Sequence, residues 1–499
     1  MNRMLFSSML FLWIFLSSVL VLNAILSFVP FKTEKMRITV KNAVLLIASL
    51  TFYAWGGIYY LLIMLSSITI NYIGGFLLVK ASKTPKAKKL WLALIVTLNL
   101  AILFFFKYFN MLVVIIESLM NTSQGVGSMF ESMISMEGTG ALGMPNIVLP
   151  IGISFFTFQA MSYVIDVYRG NANLQKSIVD FALYVSLFPQ LIAGPIVRYS
   201  DVELQLHNRT ESLNLFVSGQ KRFCYGLGKK VLLANTFAKV ADDVWALETN
   251  EMGTAVAWLG LLCYTLQIYY DFSGYSDMAI GLGRMFGFSF KENFNYPYTS
   301  LSVKEFWSRW HISLSSWFKE YVYIPLGGNR KGLPRQMLNL LIVWFLTGLW
   351  HGANFTFIAW GLFYVALQII ERLFLKKLLD KNPVKILNWL YTILAVMIAW
   401  VYFRSDNIWQ ANEYIVQLFN FSSTHNSILS FLSMKTIIAL LIAIPCVGFV
   451  QRPLKKVYEK VQYKVPVMAV DLVVQVAIVF LAVLSLIGST YNPFIYFQF

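Results

Sequence analysis

The chain has little of what most enzymes use for chemistry. Its 499 residues include three cysteines and four histidines, and only 13% are Asp, Glu, Lys or Arg, against roughly a quarter in an ordinary soluble domain. Cys224, Cys263 and Cys446 stand in unrelated contexts with no CxxC spacing, which points away from a disulfide framework and from a zinc site. No Ser sits in a Gly-x-Ser-x-Gly elbow, so a self-contained hydrolase triad is not expected. Gly281-Leu-Gly283-Arg-Met-Phe-Gly287 has the wrong spacing and setting for a dinucleotide loop, and Gly226-Leu-Gly228-Lys229-Lys230 is no Walker loop. Neither a metal nor a bound cofactor is expected.

Apolar residues are abundant. They make up 58% of the chain, and runs near the ~20 residues needed to cross a bilayer recur from end to end. The expectation is an all-α, polytopic membrane protein of about 10–13 helices, forming one domain over 1–499 with no internal repeat. The first run, Leu5 to Val29, is long, has only Arg3 before it and lacks a small-residue cleavage site, so it reads as a retained span.

A formal charge of +16 raises the question of a nucleic-acid partner, which the placement of the cations answers. Lys80, Lys83, Lys86, Lys88 and Lys89 share one short loop, and Arg452, Lys455, Lys456, Lys460 and Lys464 share another. Glu117 to Asn146 has three Glu and no Lys or Arg. That asymmetry is the positive-inside pattern of a membrane protein, with the basic loops cytoplasmic and near anionic lipid; no nucleic acid is expected. With Lys32, Lys35, Arg37 and Lys41 also inside, the chain crosses once before Pro30, twice from Asn42 to Val79 with a turn at Trp55-Gly-Gly57, and outward again from Leu90 to Ile116. Later spans are expected at Ala255 to Tyr270, Phe355 to Ile370, Ile386 to Phe403, Ile437 to Val450 and Met468 to Ile487.

The region from about Pro150 to Ala353 differs. PIGISFFTFQAMSYVIDVYRG, FPQLIAGPIVRYSD and YYDFSGYSDMAIGLGRMFGF mix membrane-level hydrophobicity with Pro, Gly and acidic residues. Broken backbone survives at membrane depth only where protein or a water-filled cavity satisfies its polar groups. Short or re-entrant helices around a cavity are expected, with Asp166, Asp271 and Asp277 lining or bracing it; the alternative is that these carboxylates are structural partners of nearby Tyr, Ser or Arg.

Of the four histidines, His207 in LQLHNRT and His425 in SSTHNSI stand in polar loops and read as surface residues. His311 lies in FWSRWHISLSSWFKEYVYIPLGGNRKG and His351 in FLTGLWHGANFTFIAWG. Small residues follow His351, so another molecule can approach it. As a helix, the sixteen residues from Arg335 to His351 rise about 24 Å, short of the ~30 Å hydrocarbon core. His351 is therefore expected within the membrane, where partial desolvation favours the neutral imidazole, able to act as a base toward an attacking hydroxyl.

FWSRWHISLSSWFKEYVYIPLGGNRKG followed by LTGLWHGANFTFIAWG resembles the membrane-bound O-acyltransferase family. The three segments of the Pro150 to Ala353 region, with the terminal YNPFIYFQF, are similar to its bacterial alginate O-acetylase branch. The likeness runs from about Leu50 to the C-terminus, with the catalytic core at about 150–375. It implies helices around a funnel and tunnel, an acyl donor used from the cytoplasmic side and an acceptor reached from outside. It further implies that His351 matches the catalytic histidine and His311 the second functional histidine, with Trp310, Trp350, Asn354, Asp271, Asp277, Arg330 and Lys331 as substrate-binding candidates. The D-alanyl transferases of teichoic acid share the WH and LWHG elements but not YIPLGGNR, intact here as Tyr323 to Arg330. The resemblance therefore favours acetyl, with acetyl-CoA as cosubstrate, over D-alanyl transfer. The acceptor it implies is an extracytoplasmic polysaccharide, served directly or through an acetyltransferase- or esterase-like partner protein, at a bacterial inner membrane. From the residues alone, the competing class is a transporter whose intramembrane His and Asp carry protons or ions; no inverted repeat supports it.

Overall fold

The computed structural model describes residues 4–81, 83–120, 148–248, 251–421, 426–488 and 491–495. Among them the protein is helical, with no strand. Seven helices are long and apolar enough to cross a membrane, or up to eight if the bent pair Met434–Cys446 and Gln451–Val461, which turns by 73°, is one span. The protein is a multi-pass membrane protein, as its hydropathy implies.

The N-terminal helices follow the expected order: Leu10–Phe28, Glu34–Ala54, Ile58–Phe76 and Pro85–Met120. Thr33 starts the second by accepting a hydrogen bond from the Met36 N–H, and Glu34 in the first turn suits the positive end of the helix dipole. The turn at Trp55 to Gly57 depends on Gly57, whose φ of +143° a side chain would strain. Because these helices alternate in direction, Lys32 to Lys41 and Lys80 to Lys89 lie at one face, the basic face. The acidic stretch expected after Glu117 lies, from position 121, outside the described residues.

A long antiparallel pair forms the centre. Leu213–Gly228 continues through a wider π turn, Lys229–Ala234, into Asn235–Trp245, and Thr254–Met285 runs back beside it. The pair packs through a glycine seam: a Cβ on Gly219 would stand 2.5 Å from the Gly281 carbonyl oxygen, and one on Gly226 2.6 Å from that of Gly274. Small residues let membrane helices approach this closely. This corrects the expectation that YYDFSGYSDMAIGLGRMFGF is broken. Its glycines serve packing, and the helix continues through to Met285. The breaks fall instead around the short helices Phe188–Leu191, Val303–Arg309 and Ile312–Phe318, and in the loop from Phe288 to Ser302.

In the last third, Leu333–His351 and Phe355–Ile370 form a hairpin, followed by Lys385–Arg404, Ile408–Gln417 and Val465–Ile487. Gly332 (φ +82°) and a proline in the first turn start the hairpin. It closes tightly: a Cβ on Gly361 would meet the Trp344 carbonyl oxygen at 2.5 Å and one on Gly348 that of Phe357 at 2.4 Å. The direction of this hairpin follows from its neighbours. The Tyr53 hydroxyl donates to the Ile151 carbonyl at 2.9 Å, which puts Ile151 opposite the basic face. Helix Ile153–Arg169 then descends, and the Arg169 guanidinium donates to the Glu320 carbonyl at 3.1 Å. The loop preceding Leu333 is thus at the basic face, and its helix carries His351 toward the other side.

Candidate functional site

His351 is the last residue of its helix. Gly352 follows in an extended conformation, and a Cβ there would stand 2.1 Å from the Phe357 ring, so the chain can leave the helix here only as glycine. The imidazole packs edge-on against Trp350, Trp360 and Phe403, with ring centroids 5.0, 4.9 and 5.1 Å away. The residue is 4% exposed, and its Nδ1 has no hydrogen-bond partner among the described residues. Beside it lies a small recess of about 20 Å³, lined by His351, Trp350, Lys107, Pro150, Ser154 and their neighbours.

Lys107 was not anticipated. It stands within helix Pro85–Met120 and is 8% exposed. Its ammonium donates to the carbonyl of Trp350, to that of His351 at 3.1 Å and to the Ser154 hydroxyl at 3.3 Å. These carbonyls end a helix and have no intrahelical partner, and a cation there also suits the negative end of the dipole. Lys107 thus ties three helices together beneath His351. A lone Lys in an apolar span, in FFFKYF, is a functional signal by itself; a reading centred on loop charge passes over it.

His311 is fully buried, 0% exposed, and its ring centroid stands 5.9 Å from that of Trp350. Trp350 therefore touches both histidines. The Phe272 ring stands edge-on to His311 at 4.7 Å. The backbone at His311 is left-handed, φ +44°, a conformation that costs a non-glycine residue of order 1–3 kcal/mol and collects at functional sites. Two backbone hydrogen bonds hold it, from Asn295 to Arg309 at 2.9 Å and from Ile312 to Asn293 at 3.0 Å. The Asn293 side-chain oxygen stands 3.2 Å from His311 Nδ1.

The other expected site residues do not line the recess. Trp310 packs against Phe294, Phe306 and Trp400, with centroids 5.0, 5.5 and 5.1 Å away. Asn354 caps helix Phe355–Ile370, accepting from the Thr356 N–H at 3.0 Å and donating to the Asp406 carbonyl at 2.7 Å. Asp271 pairs with Lys230 at 2.6 Å and accepts from the Ile495 N–H at 2.9 Å. Asp277 pairs with Arg222 at 2.8 Å and Lys229 at 2.7 Å, and Asp166 accepts from the Tyr321 hydroxyl at 2.9 Å. The three carboxylates brace helices. Arg330 and Lys331 are exposed on the loop at the basic face. His207 sits beside Asp180 at 3.6 Å, and His425 lies outside the described residues. Among the described residues no group of three or more His, Cys, Asp or Glu could hold a metal ion.

Residues 175–408 match the model of the membrane-bound O-acyltransferase family. The probable alginate O-acetylase AlgI of Pseudomonas putida is 40% identical to this chain over 519 aligned positions, covering 99% of the chain and 100% of that protein. The peptidoglycan O-acetyltransferase of Helicobacter pylori is 38% identical, covering 73% and 71%. The teichoic acid D-alanyltransferase of Bacillus subtilis is 28% identical, covering 51% and 66%.

Proposed function

Because the chain belongs to the membrane-bound O-acyltransferase family, we propose that it moves acetyl from cytoplasmic acetyl-CoA to hydroxyls of a polysaccharide on the far side of a bacterial inner membrane. It is a multi-pass membrane O-acetyltransferase, and an alginate-like exopolysaccharide or cell-wall glycan is the acceptor class we favour, reached directly or through a partner protein. Acetyl is preferred to D-alanyl because similarity to the O-acetyltransferases is higher and longer, 40% over 99% of the chain against 28% over 51% for the D-alanyltransferase.

One observation carries the mechanism: His351, at the end of the helix rising from the basic face, lines the recess, and its Nδ1 has no hydrogen-bond partner among the described residues. In this reading the neutral imidazole takes the proton of the acceptor hydroxyl as its oxygen bonds to the thioester carbonyl carbon. The C–S bond breaks, and the proton passes to the departing CoA thiolate. Arg330 and Lys331, with Lys319 and Arg335 nearby, are the cations we assign to the anionic donor at the basic face.

The test uses sealed inside-out vesicles containing the purified protein, with labelled acetyl-CoA outside and oligouronate, peptidoglycan fragment or cello-oligosaccharide inside. Label appearing on one enclosed glycan supports the reading and names the acceptor. Label on none of them, with added partner protein making no difference, counts against it. Single cysteines placed in the Lys80 to Lys89 and Arg452 to Lys464 loops should resist an impermeant reagent in intact cells, and strong labelling there would reverse the orientation.

A further inference from the structure

We propose that Asn293 is a positioning residue that holds His311 in one tautomer, with the proton on Nδ1 and the lone pair on Nε2. The hydrogen bonds around Asn293 leave one consistent assignment. The Ser313 backbone N–H points at the amide of Asn293 at 3.2 Å, and a backbone N–H can only donate, so the atom it meets is Oδ1. The amide NH₂ correspondingly donates to the Ser276 hydroxyl at 3.1 Å. Oδ1 has no hydrogen, so His311 Nδ1, 3.2 Å away, must supply one. Among the described residues, a second polar atom beside Nδ1 is the Ser313 hydroxyl at 3.4 Å, whose own hydrogen goes to Asn293 Oδ1 at 2.8 Å while its oxygen accepts from the Ile196 N–H at 3.0 Å. Both neighbours of Nδ1 are acceptors. In the neutral ring Nε2 is therefore unprotonated.

The surrounding structure holds this arrangement firmly. Asn293 is 1% exposed, and its backbone carbonyl takes the Ile312 N–H, so one residue grips both the ring and the strained backbone of His311. The next residue back, Glu292, is bound by Arg222, which also binds Asp277. A line of contacts thus runs from the central helix pair through the 288–302 loop to the imidazole. The chemical consequence is specific. A neutral His311 can act at Nε2 only as a base or hydrogen-bond acceptor and can donate there only after taking up a proton, so in that state it does not polarise a thioester oxygen, itself an acceptor.

This role presupposes the acyl transfer proposed above, whereas the tautomer does not, and the two fail separately. Protein labelled with ¹⁵N-histidine, in lipid bilayers and with His207→Gln and His425→Gln to thin the signals, is read by solid-state NMR. The expected spectrum shows His311 protonated at Nδ1 and bare at Nε2. Asn293→Asp, which keeps the acceptor oxygen, preserves that pattern, and Asn293→Leu gives a mixture with Nε2–H while acetyl transfer falls on the order of 10- to 100-fold, the loss seen when the hydrogen-bond partner of a metal-bound imidazole is removed. A wild-type His311 protonated at Nε2 overturns the assignment without reference to any variant. So does Asn293→Leu with an unchanged tautomer and unchanged transfer.

Discussion

The two histidines that contact Trp350 sit in opposite kinds of environment. His351 ends a long helix, is held by apolar ring edges and has a side-chain nitrogen with no hydrogen-bond partner among the described residues, beside a recess. His311 lies between two short helices, is buried completely, and has its backbone and Nδ1 gripped by one asparagine. The difference teaches how an imidazole can be tuned without a carboxylate. Aromatic packing fixes the position of one ring and leaves its chemistry to whatever enters the recess. Polar gripping fixes the protonation pattern of the other before any substrate arrives.

Substitutions can break that contrast, and the largest effect is expected at His351. His351→Ala should leave a folded, membrane-inserted protein whose acetyl transfer is down by the ~10²- to 10⁴-fold that acid–base catalysis contributes. Native-like melting with wild-type transfer would remove the catalytic assignment. His311→Ala should cause a smaller, partial loss, measured on the same vesicles. Transfer retained in His351→Ala but abolished in a stable His311→Ala would mean the roles are exchanged, and parallel losses of expression, melting temperature and activity in both would make them structural.

Lys107→Met tests whether the open site depends on its clamp. Losing a charged hydrogen-bond donor to buried carbonyls costs about 1.5–3 kcal/mol, and a small displacement of a reacting group can cost up to about 10²-fold in rate. The melting temperature and the turnover should both drop, with KM for the donor unaltered; a stable, fully active variant would show that His351 is positioned by its ring contacts alone. Gly361→Val wedges the hairpin that carries His351. Overpacking of this kind costs about 1–3 kcal/mol, and a melting curve matching wild type would show that the helices have slack. The smallest effect is expected at the basic face, where Arg330→Ala with Lys331→Ala should raise KM for acetyl-CoA by roughly two- to fivefold per charge, the range for exposed pairs. An unchanged KM at normal protein levels would assign these residues to lipid headgroups.

Much of this molecule could be read from the chain. The span expected at Ala255 to Tyr270 falls on Thr254–Met285, which is not among the helices long and apolar enough to cross a membrane, but the N-terminal spans, the turn at Trp55 to Gly57, the basic face and the candidate pair His311 and His351 follow from hydropathy, loop charge and the scarcity of histidine. Three kinds of feature did not. Lys107 was hidden because a single cation in a long apolar run counts little in a hydropathy average. The glycines of Thr254–Met285 resembled chain breakers, since a glycine needed for close helix packing and one needed for a turn look alike in one dimension. Whether Asp271 and Asp277 line a cavity or brace helices was left open, since an intramembrane charge fits both, and in space each is paired with a cation, while Asn354, implied by the resemblance, caps a helix.

By itself, then, the amino-acid sequence determined that this is a helical membrane protein, which face carries the positive charge, and which few residues are candidates for proton chemistry. Those properties depend on composition and short-range order, which survive in any arrangement of the helices. Only the tertiary structure decided that Trp350 contacts both histidines, that Lys107 ends the helix of one, and that Asn293 sets the proton of the other. Each is a contact between separate segments, Lys107 and Trp350 standing 243 positions apart and Asn293 and His311 18, and hydrogen-bond direction over such separations exists only once the helices are packed.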